Sequence, residues 1–427
     1  MEILTFCDKL QISYYLPATG KSSEGYGYMK KSILSLLTIA CTAVLLTSCT
    51  SAAPAASPAS SSPSGPDPAL FDYTAKTYGI ASFEGKYKVQ GRCPVISYTP
   101  PKAAEALEAL ALDYSCSSFS FNAYCEGDVT AEIYTAPTAI GGDMLYLNVY
   151  VDGVRNASRP EYKLTGKKVH TLTIASDLER GLHTFVIERQ TEAERGLLYL
   201  NSVSLCGELY EPPGQSSLFI EFIGDSITTG YGNLYPDLTE GEQNPNPASN
   251  VYQDGTRTYA YLTAQKLGAD YSIIAQQGIG VSSGYYPHTM LGTYKYTCYQ
   301  CDHRQPWDFE RKADLVVINL GTNDRTMVSA GKTTLEKIQK GFEQFCLLVR
   351  EKYPDAKILW AYGMMEQSAE TQIKAALSAA GGEEAGFYYV KLASDGSGGN
   401  GHPSAAAHEE NAEILTEAIK KIIASGE

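Results

Sequence analysis

The second half of the chain alternates short apolar runs with helical patterns, and this alternation constrains the fold more than any other feature. Residues 315–320 are almost continuously apolar, as expected for the central strand of a parallel sheet that is buried on both faces. A helix should follow, because apolar residues then recur every three or four positions from Leu335 to Val349. Strands that alternate with helices predict an α/β domain over residues 214–427, with a parallel sheet and helices on both of its faces. Further strands are predicted at 218–223, 271–275, 358–362 and 387–390, and further helices at 258–267 and from Pro403 to about residue 423.

The first half of the chain has a pattern of period two. Apolar residues at 145, 147, 149 and 151 alternate with polar or tyrosine residues and lead into an Asp-Gly turn, which is typical of a hairpin with one buried face. Other short β-prone runs are separated by turn residues and predict a β-sandwich, or jelly roll, over residues 69–213. Residues 103–112 are rich in Ala and Leu and are expected to form one short helix. The Glu-Pro-Pro-Gly stretch at 211–214 interrupts the pattern and marks a domain boundary.

The N-terminal region has the composition of a targeting segment. Two lysines after Met29 precede an apolar run that ends in Leu-Thr-Ser-Cys, which predicts a lipoprotein signal peptide over residues 29–49 with lipidation of Cys49. The alternative is an ordinary signal peptide in which Cys49 is incidental. Residues 50–68 are almost entirely Ser, Ala and Pro and are expected to form an extended linker. Residues 1–28 precede a complete signal, so we interpret them as an upstream extension and expect translation to start at Met29.

Charge and cysteine content favour some classes of function over others. The formal net charge of −14 argues against a nucleic-acid partner, because phosphate binding requires clustered Lys and Arg. A Cys-x-x-Cys pair at 298 and 301, with His303 close by, has the spacing of one pair of metal ligands, but a second pair is missing from the sequence. A local disulfide or two free loop thiols is therefore favoured over a metal site, and neither a metal ion nor an organic cofactor is predicted.

Four motifs follow predicted strands, at the place where ligands bind in parallel sheets. In chain order they are Gly224-Asp225-Ser226, Gln277-Gly278-Ile279-Gly280, Gly321-Thr322-Asn323-Asp324 and Gly401-His402-Pro403. A serine hydroxyl is a poor nucleophile near neutral pH and needs an adjacent base. An imidazole is suited to that task because its ordinary pKa, near 6.5, allows it to accept and return a proton. We therefore expect Ser226, Asn323 and His402 to meet at one edge of the sheet.

This order of motifs resembles the SGNH (GDSL) hydrolase family over about residues 217–425. The closer resemblance is to carbohydrate esterase family 2, whose members look like a β-sandwich followed by a three-layer SGNH domain. It rests on Tyr-Val-Asp-Gly at 150–153, Gly-Leu-His at 181–183, Glu-Pro-Pro at 211–213, and the segments 220–232 and 317–324. The resemblance runs from about residue 80 to the end of the chain and implies the removal of acetyl groups from plant cell-wall polysaccharides.

The resemblance also implies a role for each motif. Ser226 would be the nucleophile and His402 the general base. The oxyanion would be stabilised by the backbone N–H of Ser226, a glycine N–H of the second motif and the side-chain amide of Asn323. Ungapped spacing favours Gly280 as that glycine, and Gly278 is the alternative.

One position departs from the family pattern. The family places an aspartate three residues before the histidine, where it orients the imidazole, but Gly399 occupies that position here. A Ser–His dyad with a backbone carbonyl behind His402 is therefore expected. The alternative is that Asp395 reaches the imidazole from further upstream.

Structural, surface or substrate-binding positions are expected for the remaining polar and aromatic residues. Asp225 and Asp324 are interpreted as structural hydrogen-bonding residues, and His408 as a surface residue. Trp307 and Trp360 are candidate substrate-binding residues. For Trp307 and the tyrosines of the loop at 281–308, stacking on sugar rings and packing within the loop are both open, and for Trp360 the alternative is a place in the core.

These features predict a secreted serine esterase, lipid-anchored to the outer face of a bacterial membrane. Its expected substrate is an acetylated polysaccharide or oligosaccharide, such as xylan or glucomannan, which it would deacetylate through an acetyl-enzyme intermediate. Two alternatives remain open. One is a lipase or lysophospholipase of the same superfamily, and the other is a non-catalytic glycan-binding protein.

Overall fold

The structure is a computed structural model that describes residues 66–138, 142, 144–155, 162–236, 245–299 and 301–424. The predicted upstream extension, the signal peptide with Cys49 and nearly all of the linker lie outside the described residues. From Gly65 to Glu427 the chain is one compact unit. None of the helices in the described ranges is both long and apolar enough to cross a bilayer.

The first part of this unit is a large antiparallel sheet with the strand order β3-β4-β10-β5-β9-β6-β7, to which β1, β2 and β8 pair at the sides. Three of its strands are long, and register shifts interrupt their pairing. Such bulges bend a strand and increase its twist. The strands are β1 (Ala75–Gly79), β2 (Tyr87–Gln90), β3 (Val95–Tyr98), β4 (Leu107–Ala111), β5 (Ser118–Pro137), β6 (Met144–Val151), β7 (Val154–Arg155), β8 (Lys163–Thr165), β9 (Lys168–Arg189) and β10 (Gly196–Leu209).

The predicted hairpin at the end of β6 is confirmed. Asp152 and Gly153 have φ values of 52° and 77°, as a two-residue turn between antiparallel strands requires, and Val151 pairs with Val154. The expectation of one buried face is wrong, because Tyr146 and Asn148 are also buried. Their face of β6 packs against the second part of the unit.

The expectation of a helix at residues 103–112 is also wrong. The segment that ends at Ala111 is strand β4, which pairs with both β3 and β10. Leu110 and Ala111 are buried in the sheet. Pairing on both sides therefore overrides the high helix propensity of Ala and Leu.

The second part is a parallel sheet of five strands in the order β12-β11-β13-β14-β15 within the described residues. This confirms the α/β prediction, with element bounds that differ from the expected ones by one or two residues. The strands are β11 (Phe219–Gly224), β12 (Asp270–Ala275), β13 (Leu315–Asn319), β14 (Lys357–Tyr362) and β15 (Phe387–Lys391). The helices are α1 (Ser226–Thr229), α2 (Tyr259–Leu267), α3 (Met290–Thr293), α4 (Thr322–Ser329), α5 (Leu335–Lys352), α6 (Glu370–Ala379) and α7 (Ala405–Ala424).

Helices cover both faces of the parallel sheet, and β13 shows why its sequence is apolar throughout. Val316 and Ile318 belong to the core that contains residues of α3, α5 and α6. Leu315 and Val317 belong to the opposite core, with residues of α2 and α7. Successive side chains of a strand point to opposite faces, so a strand between two helical layers has no face left for polar residues.

Buried polar contacts join the two sheets. Arg92, just after β2, pairs with Glu221 of β11 at 3.3 Å, and both side chains are fully buried. The hydroxyl of Tyr271, on β12, donates to Glu188 of β9 at 2.9 Å. Burial raises the pKa of the Glu188 carboxyl to about 7.

Candidate active site

Ser226, the candidate nucleophile, follows the end of β11. The Asp225 carboxylate accepts a hydrogen bond from the N–H of Ile227 at 3.0 Å and caps the short helix α1. Ser226 is the first residue of this helix and is 6% exposed. The N–H of a first helical residue has no acceptor within its own helix. The strand therefore delivers both a hydroxyl and a free amide donor to the edge of the sheet.

His402 meets Ser226 at this edge. Its Nε2 lies 2.9 Å from the Ser226 Oγ, and its Nδ1 lies 3.1 Å from the carbonyl oxygen of Gly399. Because a carbonyl can only accept, the proton of the neutral imidazole must sit on Nδ1. Nε2 is then left with a lone pair directed at the serine hydroxyl, as a general base requires.

Asp395 does not orient His402, so the alternative of a complete triad is wrong in this structure. Its carboxylate accepts from the backbone N–H and the hydroxyl of Ser404 at 2.8 and 3.2 Å. It also accepts from the N–H and the hydroxyl of Ser397 at 3.3 and 2.9 Å. With these four donors Asp395 stabilises the loop before α7, and the backbone carbonyl of Gly399 takes the place behind the imidazole.

The loop that carries His402 is held against the segment after α1. The N–H of Gly399 donates to the Gly232 carbonyl at 2.9 Å. A Cβ on Gly232 would lie 3.0 Å from the Gly399 backbone, and Gly232 has a φ of 65°, so glycine is required there for two reasons. The ring of Tyr231 packs 4.5 Å from the His402 ring, and its hydroxyl accepts from the side-chain amide of Asn400.

The surroundings keep the imidazole neutral. Burial lowers the pKa of His402 to about 4, although the hydrogen bonds to the Gly399 and Asn400 backbone and the charge of Glu192 act in the opposite direction. A base with this pKa is unprotonated over the whole neutral range. It is therefore ready to accept the Ser226 proton without first losing one of its own.

The second motif is held in place by Asp324. Its carboxylate accepts the backbone N–H groups of Val281, Ser282 and Ser283 at 2.7, 2.9 and 2.9 Å. Burial raises the pKa of this carboxyl, and the three donors oppose that shift. The structural interpretation of Asp324 agrees with these contacts.

Both glycines of the second motif are constrained. A Cβ on Gly280 would lie 1.9 Å from the Ser283 carbonyl oxygen, and Gly278 has a φ of 74°. Neither N–H donates to an acceptor among the residues that the structure describes. Gly280 and Gly278 therefore both stay candidates for the oxyanion donor.

Asn323 connects three motifs. Its Nδ2 donates to the Ile279 carbonyl at 2.8 Å and to the Asp225 carboxylate at 3.2 Å. Both amide hydrogens therefore have protein acceptors, and an oxyanion would compete with the longer bond, to Asp225. Burial raises the pKa of the Asp225 carboxyl to about 7.

Comparison with known proteins agrees with this arrangement. The family described as GDSL-like lipase/acylhydrolase matches residues 222–420, a range that contains Ser226, Asn323 and His402. These residues form a GDSL-like lipase/acylhydrolase domain.

The relatives of this GDSL-like domain include family 2 carbohydrate esterases. The chain is 35% identical over 267 residues to the cellulase/esterase CelE of Acetivibrio thermocellus. This match covers 58% of this chain and 31% of that protein. The chain is also 36% identical over 112 residues to the acetylxylan esterase/glucomannan deacetylase of Cellvibrio japonicus. This second match covers 25% of this chain and 29% of that protein. The chain thus spans less than a third of the length of these curated relatives.

A solved structure extends the similarity over both sheets. It is that of a family two carbohydrate esterase from Clostridium thermocellum in complex with cellohexaose. It superposes with a TM-score of 0.65 at 28% identity and covers 79% of this chain and 99% of that chain.

The antiparallel sheet supplies two residues to the edge of the GDSL-like domain that the sequence analysis missed. Glu192 and Arg195 lie between β9 and β10 and are almost fully buried. Glu192 accepts from the Gln277 N–H and from Arg195 Nε, both at 3.0 Å. Arg195 Nη2 donates to the Gln277 side chain at 2.8 Å, and its guanidinium lies 5.6 Å from the Tyr231 ring. The sequence signal was only a short charged cluster between two strands, with no motif around it.

These contacts place Glu192 and Arg195 as positioning residues of the GDSL-like domain. Both side chains hydrogen-bond to Gln277, which directly precedes Gly278. The Arg195 guanidinium also lies near the ring of Tyr231, which packs on His402. Glu192 in addition raises the pKa of His402 by its charge.

Among the described residues, the two tryptophans do not form a substrate platform beside Ser226 and His402. Trp360 is fully buried, and its Nε1 donates to the Leu320 carbonyl at 3.0 Å, so its interpretation as a substrate-binding residue is wrong. The apolar strand β14 simply continues into the core at this position. Trp307 is half-buried and packs against the same core beside Arg92, with its ring 5.6 Å from the guanidinium. Among the described residues no ring contact or hydrogen bond joins Trp307 to Ser226 or His402.

His408 is another correction. It is 1% exposed, its Nδ1 accepts the N–H of Tyr259 at 3.1 Å, and burial lowers the pKa of its imidazole to about 3. The expectation of a surface residue is wrong because this side of α7 packs against α2.

Packing accounts for the ring contacts of the loop between the second and third motifs. Tyr294 is part of the core. Tyr286, His288 and Tyr299 form a stack with centroid distances of 5.1 and 5.4 Å.

Proposed function

We propose that this protein is a serine esterase that removes O-acetyl groups from plant cell-wall polysaccharides such as xylan or glucomannan. The observation that carries the proposal is the 2.9 Å contact between the Ser226 hydroxyl and a neutral His402 imidazole, at the strand edge of a GDSL-like domain. The relatives include an acetylxylan esterase/glucomannan deacetylase, which supports the choice of substrate.

In the first half of the reaction the Ser226 oxygen attacks the carbonyl carbon of the acetyl group while its proton passes to His402 Nε2. The carbonyl oxygen becomes an oxyanion beside the N–H of Ser226, a glycine of the second motif and the Asn323 amide. A donor of this kind contributes roughly 3–4 kcal/mol to stabilising such an oxyanion. The sugar oxygen then leaves with the proton from His402, and an acetyl-enzyme is formed.

In the second half a water molecule gives a proton to His402 and attacks the acetyl-enzyme. Collapse of the new oxyanion returns the proton from His402 to Ser226 and releases acetic acid, which ionises to acetate in solvent. Throughout, the Gly399 carbonyl holds the Nδ1 proton, so that Nε2 alone exchanges protons. Each proton transfer is therefore served by groups of the chain itself.

The test is Ser226→Ala, assayed on acetylated xylan and on an aryl acetate. Removal of the nucleophile is expected to lower kcat by at least about 10⁴-fold. Ser378→Ala, an exposed serine of α6, is the matched control and is expected to retain full activity. Retention of most activity by Ser226→Ala would rule out the proposed nucleophile.

A series of aryl esters with increasing acyl length distinguishes the deacetylase hypothesis from the lipase hypothesis. A polysaccharide deacetylase should prefer the acetyl ester, whereas a lipase or lysophospholipase should prefer long chains. A glycan-binding protein without catalysis would retain polysaccharide but release no acetate.

We also propose that the enzyme is secreted and anchored to the outer face of a bacterial membrane by a lipid on Cys49. Its support is the sequence alone, namely the signal pattern at 29–49 and the Ser/Ala/Pro linker at 50–68. Cys49→Ser is expected to move the protein from the membrane fraction to the soluble fraction. Equal membrane retention of this variant would contradict the anchor.

For the antiparallel region we propose a β-sandwich of the jelly-roll type. The long strands β5, β9 and β10, with their register shifts, support it, because bent strands allow one continuous sheet to fold into two layers. An experimental structure with all of these strands in a single layer would contradict this proposal.

A further inference from the structure

Asp113 meets three side chains of one distant segment of the chain where the two sheets pack together. Asp113 follows β4 of the antiparallel sheet, whereas Cys298, Cys301 and His303 lie in the segment between α3 and β13. Their sulfur, nitrogen and carboxylate oxygen atoms all lie within 4.8 Å of one another. In this structure the two sulfurs are joined in a disulfide.

Two residues of the cluster are buried, Cys301 and His303 are half-buried, and the imidazole is held from two sides. Cys298 and Asp113 are 2% and 3% exposed. The His303 Nε2 lies 2.6 Å from the Asp113 carboxylate, and its Nδ1 lies 3.1 Å from the hydroxyl of Tyr199 on β10. The antiparallel sheet thus sets the orientation of a ring that belongs to the other half of the chain. Ligands oriented by such outer contacts are a general property of metal sites.

The donor set has the chemistry of a zinc site. Two thiolates, one imidazole and one carboxylate are ligands that Zn²⁺ accepts in tetrahedral geometry, and thiolates favour zinc over the harder Mg²⁺ and Ca²⁺. We propose that, once the Cys298–Cys301 disulfide is reduced, these two cysteines bind one Zn²⁺ ion together with His303 and Asp113. The contact between imidazole and carboxylate must then lengthen to about 3.4 Å, the separation of two such ligands around tetrahedral zinc.

Loading of the site begins with reduction of the disulfide. A phosphine takes the oxygen of one water molecule and becomes its oxide, and the disulfide accepts the two electrons and two protons to give two thiols. Zinc then displaces both thiol protons to solvent. The loaded site has a net charge of −1, from two thiolates and one carboxylate against the dication. Arg189 supplies a positive charge nearby, since it is fully buried and donates at 2.7 Å to the carbonyl of Leu112, the neighbour of Asp113.

This site would tie the loop beside the second motif to the antiparallel sheet. The same loop carries Tyr299, which stacks on His288, which in turn stacks on Tyr286. A Cβ on Gly278 would lie 3.1 Å from the Tyr286 ring. The zinc ion therefore has a structural role, and the proposal does not depend on the reaction assigned to Ser226 and His402.

The experiment uses the full chain, reduced with a phosphine in the absence of oxygen and freed of excess reductant. Thiols are counted to verify that the disulfide is open. Zinc per chain is measured by mass spectrometry after dialysis, and the Kd by competition with a chromophoric chelator. Cobalt(II) serves as a spectroscopic probe, because a thiolate-to-cobalt charge-transfer band reports sulfur ligation in the unsubstituted protein.

We expect one zinc per reduced chain, and none retained when the disulfide is intact. Binding should be at least about 100-fold weaker in the double variant Cys298→Ser/Cys301→Ser and at least about 10-fold weaker in Asp113→Asn. Cys206→Ser, which removes a free thiol on β10 outside the cluster, is the matched control and should bind as the unsubstituted chain does.

Three results would overturn the proposal. One is the absence of a thiolate–cobalt band in the reduced chain, a measurement that needs no variant and so does not depend on variant folding. The second is equal zinc uptake by the reduced chain and the double serine variant. The third is an unchanged Kd in Asp113→Asn, which would remove the antiparallel sheet from the site.

Discussion

The two sheets of this protein place their functional residues in different ways. In the parallel sheet, Ser226 and Asn323 directly follow strands, and all strands end at the same edge, so a position in the sequence translates into a position in space. In the antiparallel sheet, strand ends alternate between opposite edges, and Glu192 and Arg195 reach the active site only because of how this sheet packs on its neighbour. In the parallel sheet a sequence motif therefore predicts where its residues lie in space. Contacts between the two sheets depend instead on how the sheets pack together.

The buried ion pair between the two sheets should contribute most to holding them together. Arg92→Met removes the partner of Glu221 and leaves a buried carboxylate without its counter-charge. We expect the free energy of unfolding to fall by about 3–5 kcal/mol, measured by chemical denaturation. The matched control is Arg180→Met, whose pair with Glu126 is solvent-exposed and should matter little. Equal effects of the two substitutions would show that the sheets do not depend on the buried pair.

A second change tests whether the antiparallel sheet acts on catalysis. Arg195→Lys keeps the positive charge beside Glu192 but loses the planar fork that also reaches Gln277. If Arg195 positions the second motif, kcat/KM should fall by about 10–100-fold, since small misplacements of reacting groups have effects of this size. Arg180→Lys is the control on an exposed site. Unchanged kinetics in Arg195→Lys would show that Arg195 contributes to packing but does not position the second motif.

The smallest expected effect is a shift in the pH profile. Because burial lowers the pKa of His402 to about 4, the neutral base persists on acidification, and kcat/KM should fall only below about pH 5, with an apparent pKa near 4 instead of 6.5. Glu192→Gln removes a charge that raises this pKa, so its acid limb should move to lower pH. Asp395→Asn should leave the limb in place, because Asp395 does not touch the imidazole. A limb near pH 6.5, or one that Asp395→Asn displaces, would contradict the dyad.

The sequence was sufficient where local pattern and structure coincide. The apolar run that became β13, the stripe of α5 and the Asp152-Gly153 turn depend on periodicity and backbone conformation, which neighbouring residues determine. The helix prediction for residues 103–112 failed because Ala and Leu tolerate a strand when neighbouring strands pair with it on both sides. The predictions of a substrate-binding Trp360 and a surface His408 failed for a related reason. The burial of a side chain depends on what packs against its helix or strand and not on that element alone.

By itself the sequence determined the alternation of strands and helices, the edge at which Ser226 and His402 meet, and the absence of an aspartate three residues before the histidine. A backbone carbonyl behind His402 was also expected from the sequence, but only the tertiary structure identified it as that of Gly399. The tertiary structure alone decided that Glu192 and Arg195 reach the second motif and that Asp113 lies beside the cysteine pair. The physical reason is that hydrogen bonds and electrostatic interactions act over a few ångströms in space. Sequence reveals such proximity only where regular backbone geometry connects the residues concerned.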